Sequence, residues 1–310
     1  DEVVRLLSQL HMSNMLFFSG RAHSDAIFER TRTQKQRELY GKLLSFLYVR
    51  VRLFDPNRLL DRIRPLIMWC TGRTALAVWL AVVITGAVNV IEHADELHQH
   101  TQGLLSLANL PWLYAGMTLL KVFHETAHAF VCKRYGGQVH TFGVMFLIFT
   151  PLPYVDATSA WGFGNKWRRA YVGLAGVVTE LFFAAIGAFV WAHTSEGVIN
   201  SLAFNVMFIG SVSALLFNGN PLLRFDAYYV LADLIEIPNL YQKGQAQVVH
   251  QCDKYLPSNK AGVSPATDHT ERVWFTSYGW SSLVYRLLLS VTILMTVLDQ
   301  WFAIGIALMA

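Results

Sequence analysis

Residues 198–217 read VINSLAFNVMFIGSVSALLF, and this stretch contains no charged side chain. A helix needs about 20 predominantly apolar residues to cross the hydrocarbon core of a bilayer, so the stretch predicts a membrane-spanning helix. The composition of the whole chain points the same way. Of its 310 residues, 54% are hydrophobic and 15% are charged, whereas soluble domains carry about 25% charged residues. The sequence therefore indicates an integral membrane protein.

Outward from this stretch, four further segments meet the same requirement of length and apolarity. They are Thr74 to Ile91, Leu104 to Cys132, Tyr171 to Ala192, and Leu287 to Ile306. We therefore expect an all-α fold, a polytopic integral membrane protein with about five transmembrane helices.

The positive charges are distributed asymmetrically. Of the 25 lysine and arginine residues, 12 precede Arg73, and none lies in the loops 94–103 and 193–197. Cytoplasmic loops of membrane proteins are enriched in these residues. The pattern predicts a multi-pass protein with a cytoplasmic N-terminus. It predicts a cytoplasmic helical region over residues 1–70 and a membrane-embedded domain over residues 71–310, in which residues 218–280 are mostly cytoplasmic.

Within the N-terminal region, apolar residues recur with helical spacing. Glu2 to Leu16 and Glu38 to Tyr48 each predict an amphipathic helix, and a third, basic helix is expected after the Pro56-Asn57 turn. The third helix suits either an anionic membrane surface or solvent, and the sequence leaves both open. The chain begins at Asp1 and stops within apolar sequence, so we interpret it as part of a longer protein.

One apolar segment is too short to span a bilayer. Residues 142–154 read FGVMFLIFTPLPY, which is rich in β-branched and aromatic residues and contains two prolines. Such residues are typical of strands, so we predict a re-entrant hairpin or strand that lines a site inside the membrane. An interfacial loop is the alternative.

A metal-binding motif, His124-Glu125-Thr126-Ala127-His128, lies within the second predicted span. Residues four apart on a helix share one face, so both imidazoles can bind one Zn²⁺ at about 2.0–2.1 Å. Glu125 fits a general acid/base that takes a proton from the attacking water and passes it to the leaving amine. Ionisable residues within a span are costly and usually functional, which favours this interpretation over a buried His–Glu hydrogen-bond cluster.

Catalytic zinc sites usually have three protein ligands, so the motif lacks one. Asp156, Glu180 and Asp226 are candidates, because each lies near a predicted span or the apolar hairpin. Cys132 shares the helix face of the histidines, but it lies about two turns, or roughly 11 Å, beyond His124, which is too far to share an ion. The residues alone leave the three carboxylates open.

Two motifs together resemble those of the site-2 protease family of intramembrane zinc metalloproteases. One is the histidine motif within a span, and the other is Asn220-Pro-Leu-Leu-Arg-Phe-Asp226 at the end of a later span. In that family the aspartate of an Asn-Pro…Asp-Gly motif is the third zinc ligand. The resemblance implies that Asp226 joins His124 and His128 in binding one Zn²⁺.

The same resemblance implies that Asn220 and Pro221 belong to a substrate-positioning segment. The chain departs from the family pattern at Ala227, where the family usually has glycine. Because alanine is also small, we expect tighter backbone geometry at this position and no loss of metal.

Several other segments resemble a bacterial subgroup of peptide zinc metalloproteases, namely residues 47–56, 133–140, 154–161 and 225–229. Members often carry a membrane-fusion (periplasmic adaptor) domain after the last span and are associated with peptide export; residues 1–20 resemble the tail of a winged-helix domain. The resemblance implies a zinc metalloendopeptidase of the bacterial inner (cytoplasmic) membrane that cuts membrane-associated or exported peptides. Its expected partners are a peptide or membrane-protein substrate, the lipid bilayer and export machinery, without nucleic acid.

Two charged residues within spans need partners, because a lone charge is expensive in lipid. Glu180 is predicted either to orient a zinc-binding histidine or to form a structural hydrogen bond between helices. Lys121, one turn before His124, has the same two roles open, with charge balance for a carboxylate such as Glu180 favoured. Asp156 is a third candidate for a group that hydrogen-bonds to a ligand.

Two other functions are compatible with the sequence. One is a non-catalytic membrane component of a peptide secretion system, in which zinc is structural. Glu125 argues against it, because a structural site needs no general base. The other is a transporter or channel whose intramembrane His and Glu residues relay protons, which predicts that no zinc is bound.

Overall fold

The computed structural model describes residues 48–101, 104, 106–147, 150–255 and 264–300. The two predicted amphipathic helices at Glu2–Leu16 and Glu38–Tyr48 therefore lie outside the described residues, except for Tyr48, and so does the winged-helix resemblance. The chain divides into two compact units, residues 1–49 with 146–150, and residues 50–145 with 151–310. The helices and the site described below belong to the second unit.

The described part of the chain is mostly helical, as predicted. Its α-helices are α1 (Asn57–Arg62), α2 (Arg64–Cys70), α3 (Arg73–Glu92), α4 (Ala94–Thr101), α5 (Leu110–Arg134), α6 (Lys166–His193), α7 (Val198–Val212), α8 (Asp226–Leu234), α9 (Leu240–Tyr255) and α10 (His269–Gln300). A 3₁₀ turn covers Thr158–Gly162, and a π-helical turn, Ser213–Asn218, continues α7.

Four helical stretches are long and apolar enough to cross a membrane: Arg73–Glu92, Lys166–His193, Val198–Asn218 and His269–Leu298. They correspond to four of the five predicted spans. The first three match the predicted bounds within a few residues. The last begins well before Leu287, since its N-terminal half continues the helix into polar sequence.

The second predicted span, 104–132, differs from expectation. The structure begins this helix, α5, at Leu110, with Pro111 in its first turn. Among the described helices, α5 is not one of those that meet the composition requirement for a span. Lys121, the two histidines and Glu125 lower the mean hydropathy of α5, and they are the residues of the candidate metal site and its surroundings.

A three-stranded sheet departs from the all-α prediction. Its strands are β1 (Tyr48–Phe54), β2 (Phe142–Leu147) and β3 (Thr150–Val155), in the order β1-β2-β3. The apolar segment 142–154 thus forms strands, one of the two predicted forms. β1 was expected to be helical, but its valines and arginines alternate with a period of two, which favours a strand.

The expected basic helix after Pro56 is divided in two, α1 and α2, because Pro65 follows Ile63 and Arg64 and starts a new first turn. Helix α1 is joined to α5 by Lys133, whose ammonium lies 2.8 Å from Asp61 Oδ1 and donates to Asn57 Oδ1 at 2.8 Å. This contact holds the C-terminal end of the histidine-bearing helix.

Helix α6 packs against α3, α5, α7 and α8, so it is the element around which the site is assembled. Small residues permit the close approach. A Cβ added to Gly86 of α3 would lie 2.6 Å from Ala185 Cβ, and one added to Gly187 would lie 2.8 Å from the Ala203 carbonyl of α7. Close helix contacts through small residues are typical of helices that pack within membranes.

Candidate metal centre

The imidazoles of His124 and His128 project from one face of α5 towards α6 and α8. Their ring centroids are 4.8 Å apart, and the two Nε2 atoms face each other at 3.1 Å. His124 is buried against Gly176 of α6, where any added Cβ would overlap the imidazole ring. A glycine at this position is therefore what allows α6 to approach the motif so closely.

Asp226 is the first residue of α8 and reaches both histidines. Its Oδ2 lies 3.1 Å from His124 Nε2 and 3.5 Å from His128 Nε2. The preceding segment turns sharply, with the Asn220 side chain accepting the Leu222 amide N–H at 2.9 Å. This turn connects the end of the π-helical segment after α7 to Asp226, which lies beside the two histidines.

The three ligand atoms form a nearly equilateral triangle with edges of 3.1, 3.1 and 3.5 Å. In a tetrahedral zinc site with bonds of about 2.0–2.1 Å, ligand atoms lie about 3.3 Å apart. The triangle therefore has the dimensions that one zinc ion requires. Within the described ranges, no other three His, Cys, Asp or Glu residues bring their ligand atoms within 4.8 Å of one another.

The donors and acceptors at this triangle also fit a cation. His128 Nδ1 lies 2.7 Å from the Val172 carbonyl, so this ring donates its N–H there and leaves Nε2 as a free acceptor. Asp226 Oδ2 is buried and makes no hydrogen bond to the described residues, although both Nε2 atoms are near. His128 Nε2 and Asp226 Oδ2 are thus two acceptors 3.5 Å apart, an arrangement that fits a cation between them.

A buried polar network supports His124 from the opposite side. Glu180 of α6 is fully buried, and its Oε1 lies 2.9 Å from His124 Nδ1, at ion-pair distance but off the axis of a hydrogen bond. Lys121 Nζ donates to the same oxygen at 2.6 Å. Asn218 Nδ2 reaches both Glu180 oxygens at 2.9 Å, and Ser213 Oγ donates at 3.1 Å.

Glu125 faces a cavity of about 320 Å³ that His128, Asp226, Tyr154 and Val155 also line. Its Oε2 accepts the Val155 amide N–H at 3.1 Å. The end of β3 thus fixes this carboxylate beside the ligand triangle. Sequence reasoning predicted that the apolar segment lines the site, and the described part of β3 lies there.

Other residues singled out by the sequence lie outside the triangle. Asp156 accepts the Thr158 amide and hydroxyl, and these hydrogen bonds hold the pKa of its carboxyl below the usual range. Cys132 is buried beside Ser159, 3.3 Å away. Asn220 and Pro221 lie in the turn that leads to Asp226.

Some contacts of the site were not predicted. Residue type alone does not predict these contacts, because each depends on how the helices pack. They are made by Gly176, Ser213, Asn218 and the Val172 carbonyl. A scan against protein-family models finds no match for the chain. Searches of curated proteins and of solved structures find no similar protein.

Proposed function

We propose that this chain is a membrane-embedded, zinc-dependent endopeptidase that hydrolyses peptide bonds of membrane-associated or exported peptides. The observation that carries the proposal is the triangle of His124, His128 and Asp226, which has the dimensions of a zinc site and opens onto the cavity that holds Glu125. The resemblance to the site-2 protease family adds the reaction type.

The roles follow from the geometry. His124, His128 and Asp226 would hold one Zn²⁺, which when bound supplies a Lewis acid and lowers the pKa of a water ligand to about 7. Three protein ligands leave the fourth tetrahedral position for water or substrate. Glu125 lines the same cavity as His128 and Asp226 and is held there by the Val155 amide, so it would take the proton of the attacking water and deliver it to the leaving amine.

The rest of the proposal is supported by the four helices that are long and apolar enough to span a bilayer, with α5 as a fifth crossing, by the distribution of basic residues and by the family resemblance. We place the protein in the bacterial inner membrane as a multi-pass protein with its N-terminus in the cytoplasm. A peptide or membrane-protein substrate reaches the site from the cytoplasmic side, where residues 218–280 lie. The segment 142–154 is a re-entrant element, and export machinery or a periplasmic adaptor domain is the expected partner.

Glu125→Gln separates catalysis from metal binding, because glutamine keeps the shape of the side chain and removes its basicity. Purified protein is loaded with zinc in detergent and incubated with labelled casein and quenched fluorescent peptides. Wild type is expected to cleave at least one of them, and the variant is expected to be slower by about 10²–10⁴-fold while it retains one zinc. Chelation is expected to stop the wild-type reaction.

Equal cleavage by wild type and Glu125→Gln would contradict the catalytic proposal. A zinc-loaded wild type that cleaves none of the probes would favour the non-catalytic secretion component. Absence of stoichiometric zinc in the wild type would favour the proton-relay reading.

A further inference from the structure

A second cavity adjoins the one at the metal centre. It measures about 480 Å³, and we call it the neighbouring cavity. The two cavities share four lining residues, Trp161, Arg169, Tyr229 and Asp233. A chain that occupies the site cavity beside Glu125 can therefore extend past these shared side chains into the neighbouring cavity.

The charges that line the neighbouring cavity are unequally compensated. Arg169 Nε lies 2.9 Å from Asp233 Oδ1, and Glu236 Oε1 lies 3.3 Å from Lys166 Nζ. Arg224 is the exception, since no described residue offers it a carboxylate within 4.0 Å or a hydrogen-bond acceptor. The lining side chains carry two positive and two negative charges, and Arg224 is the one of the four without an ion-pair partner among the described residues.

Arg224 is nevertheless held in place. Its guanidinium lies over the Tyr241 ring, 5.2 Å from the centroid, and Arg286 lies over the same ring at 5.1 Å. This cation–π contact orients Arg224, whose planar guanidinium carries five N–H donors. These donors suit the two oxygens of a carboxylate.

Arg224 is also tied to the metal centre through the chain. It lies two residues before Asp226, so their Cα atoms are at most about 7 Å apart. An extended peptide advances by about 3.4 Å per residue. A substrate carboxylate that meets Arg224 would therefore belong to a residue about two to four positions from the cleaved bond.

Three of the six uncharged residues that line the neighbouring cavity are aromatic. Trp161 is 72% exposed and Tyr229 is 45% exposed, so both offer ring faces to a bound chain. Exposed aromatic side chains bury large areas on binding, and Trp, Tyr and Arg are the residues that dominate binding energies. The cavity thus combines exposed aromatic rings with one cation, Arg224, that has no ion-pair partner among the described residues.

We propose that the neighbouring cavity is a substrate-binding subsite that selects peptides with an acidic side chain or C-terminal carboxylate near the cleaved bond, held by Arg224 between Trp161 and Tyr229. The proposal rests on the proposed function, because it treats the site cavity as the place where a peptide is cut. It names the chemical class of substrate, an apolar peptide with an anionic group on one side of the bond.

Peptide binding tests this directly in the zinc-loaded Glu125→Gln protein, where bound peptides are not cut. The probes are fluorescein-labelled 12-residue peptides of Ala, Leu and Tyr with one Glu moved along the chain, and matched peptides with Gln. Fluorescence anisotropy is expected to show about five- to tenfold tighter binding of Glu than Gln at one or two adjacent positions, in the range of a charge-assisted hydrogen bond. Arg224→Gln is expected to abolish the difference.

Charge reversal provides a second variant. Arg224→Glu is expected to prefer a Lys peptide at the same position. Arg168→Gln is the control, because Arg168 is also exposed and lies over a tyrosine ring, 5.4 Å from the Tyr135 centroid, but lines neither cavity. The control is expected to keep the preference for Glu.

Two results would overturn the inference. If peptides bind but Glu and Gln bind equally, or if the preference survives Arg224→Gln, the subsite is wrong and the proposed function stands. If no peptide binds and wild type cleaves none of the protease probes, the subsite and the proposed function both fail.

Discussion

Glu180 contacts four polar groups that come from α5 and from the π-helical turn after α7. The contacts are Lys121 Nζ at 2.6 Å, His124 Nδ1 at 2.9 Å, Asn218 Nδ2 at 2.9 Å and Ser213 Oγ at 3.1 Å. A fully buried carboxylate costs several kcal/mol unless such partners compensate it. Lys121 and Glu180 therefore balance each other's charge, and Glu180 also faces a candidate metal ligand.

Because Glu180 faces the ring nitrogen of His124 that is turned away from the metal position, it is expected to raise zinc affinity. Glu180→Gln should weaken zinc binding by about 10–100-fold, the usual effect of removing a group that supports a metal-binding histidine. Competition with a chelator of known affinity measures the change. Glu196→Gln is the control, since Glu196 is exposed in the loop after α6. Unchanged affinity in Glu180→Gln would assign Glu180 a purely structural role.

At the residue scale, the histidine pair and Glu125 are evident from spacing, because residues four apart on a helix lie on the same face. The third candidate ligand is not evident from spacing. Asp156, Glu180 and Asp226 remained equivalent until the family resemblance favoured Asp226, since the fold of residues 219–225 decides which carboxylate arrives at the triangle. Local sequence does not encode that turn's direction.

At the element scale, the π-helical turn Ser213–Asn218 explains why two of its residues reach Glu180 together. In a regular α-helix, residues five apart point about 140° away from each other. In this turn the Asn218 amide donates to Ser213 Oγ at 3.1 Å, and both groups contact Glu180. π-helical turns often occur at functional sites, and residue type does not predict them.

The close packing of α5 on α6 is a second element-scale feature with a testable consequence. Gly176→Ala places a methyl group on the His124 ring, so the imidazole must move away from the triangle. We expect at least a tenfold loss of zinc affinity, measured by the same competition. Gly116→Ala is the control, because its added Cβ meets only Val206 Cγ2 at an ordinary 3.5 Å. Full zinc affinity in Gly176→Ala would show that the ring position is not critical.

At the element scale, the sequence also shows why some predicted elements differ from those in the structure. Residues 49–53 alternate valine or leucine with arginine, but the surrounding helical periodicity concealed this period-two pattern. The bounds of α3 and α6 followed from apolar length alone, because nothing but hydropathy defines them. Apolar length alone does not predict the start of α5. Apolar residues continue N-terminal to Pro111, which lies in the first turn of the helix.

At the scale of the whole molecule, four helices are long and apolar enough to span a bilayer, and the basic residues cluster in the segments that we place in the cytoplasm. With α5 as a fifth crossing, as expected from the sequence, and the N-terminus in the cytoplasm, we predict that the loop 193–197 faces the outside and that α9 faces the cytoplasm. Both are accessible to labelling, because Glu196 and Gln242 are exposed.

Single cysteines at these two positions test the topology in a background without the native ones, Cys70, Cys132 and Cys252. In right-side-out membrane vesicles, a membrane-impermeant maleimide is expected to label Glu196→Cys and to leave Gln242→Cys unlabelled until the membrane is permeabilised. Labelling of both in intact vesicles, or the reverse pattern, would contradict the proposed orientation.

The most direct test of the account is the zinc content of purified protein, measured by inductively coupled plasma mass spectrometry. The variants are His128→Ala, Asp226→Ala and Asp156→Ala, of which the last removes a carboxylate outside the ligand triangle. We predict one zinc per chain in wild type and in Asp156→Ala, and loss of zinc in the other two. A full equivalent of zinc in Asp226→Ala would contradict the account.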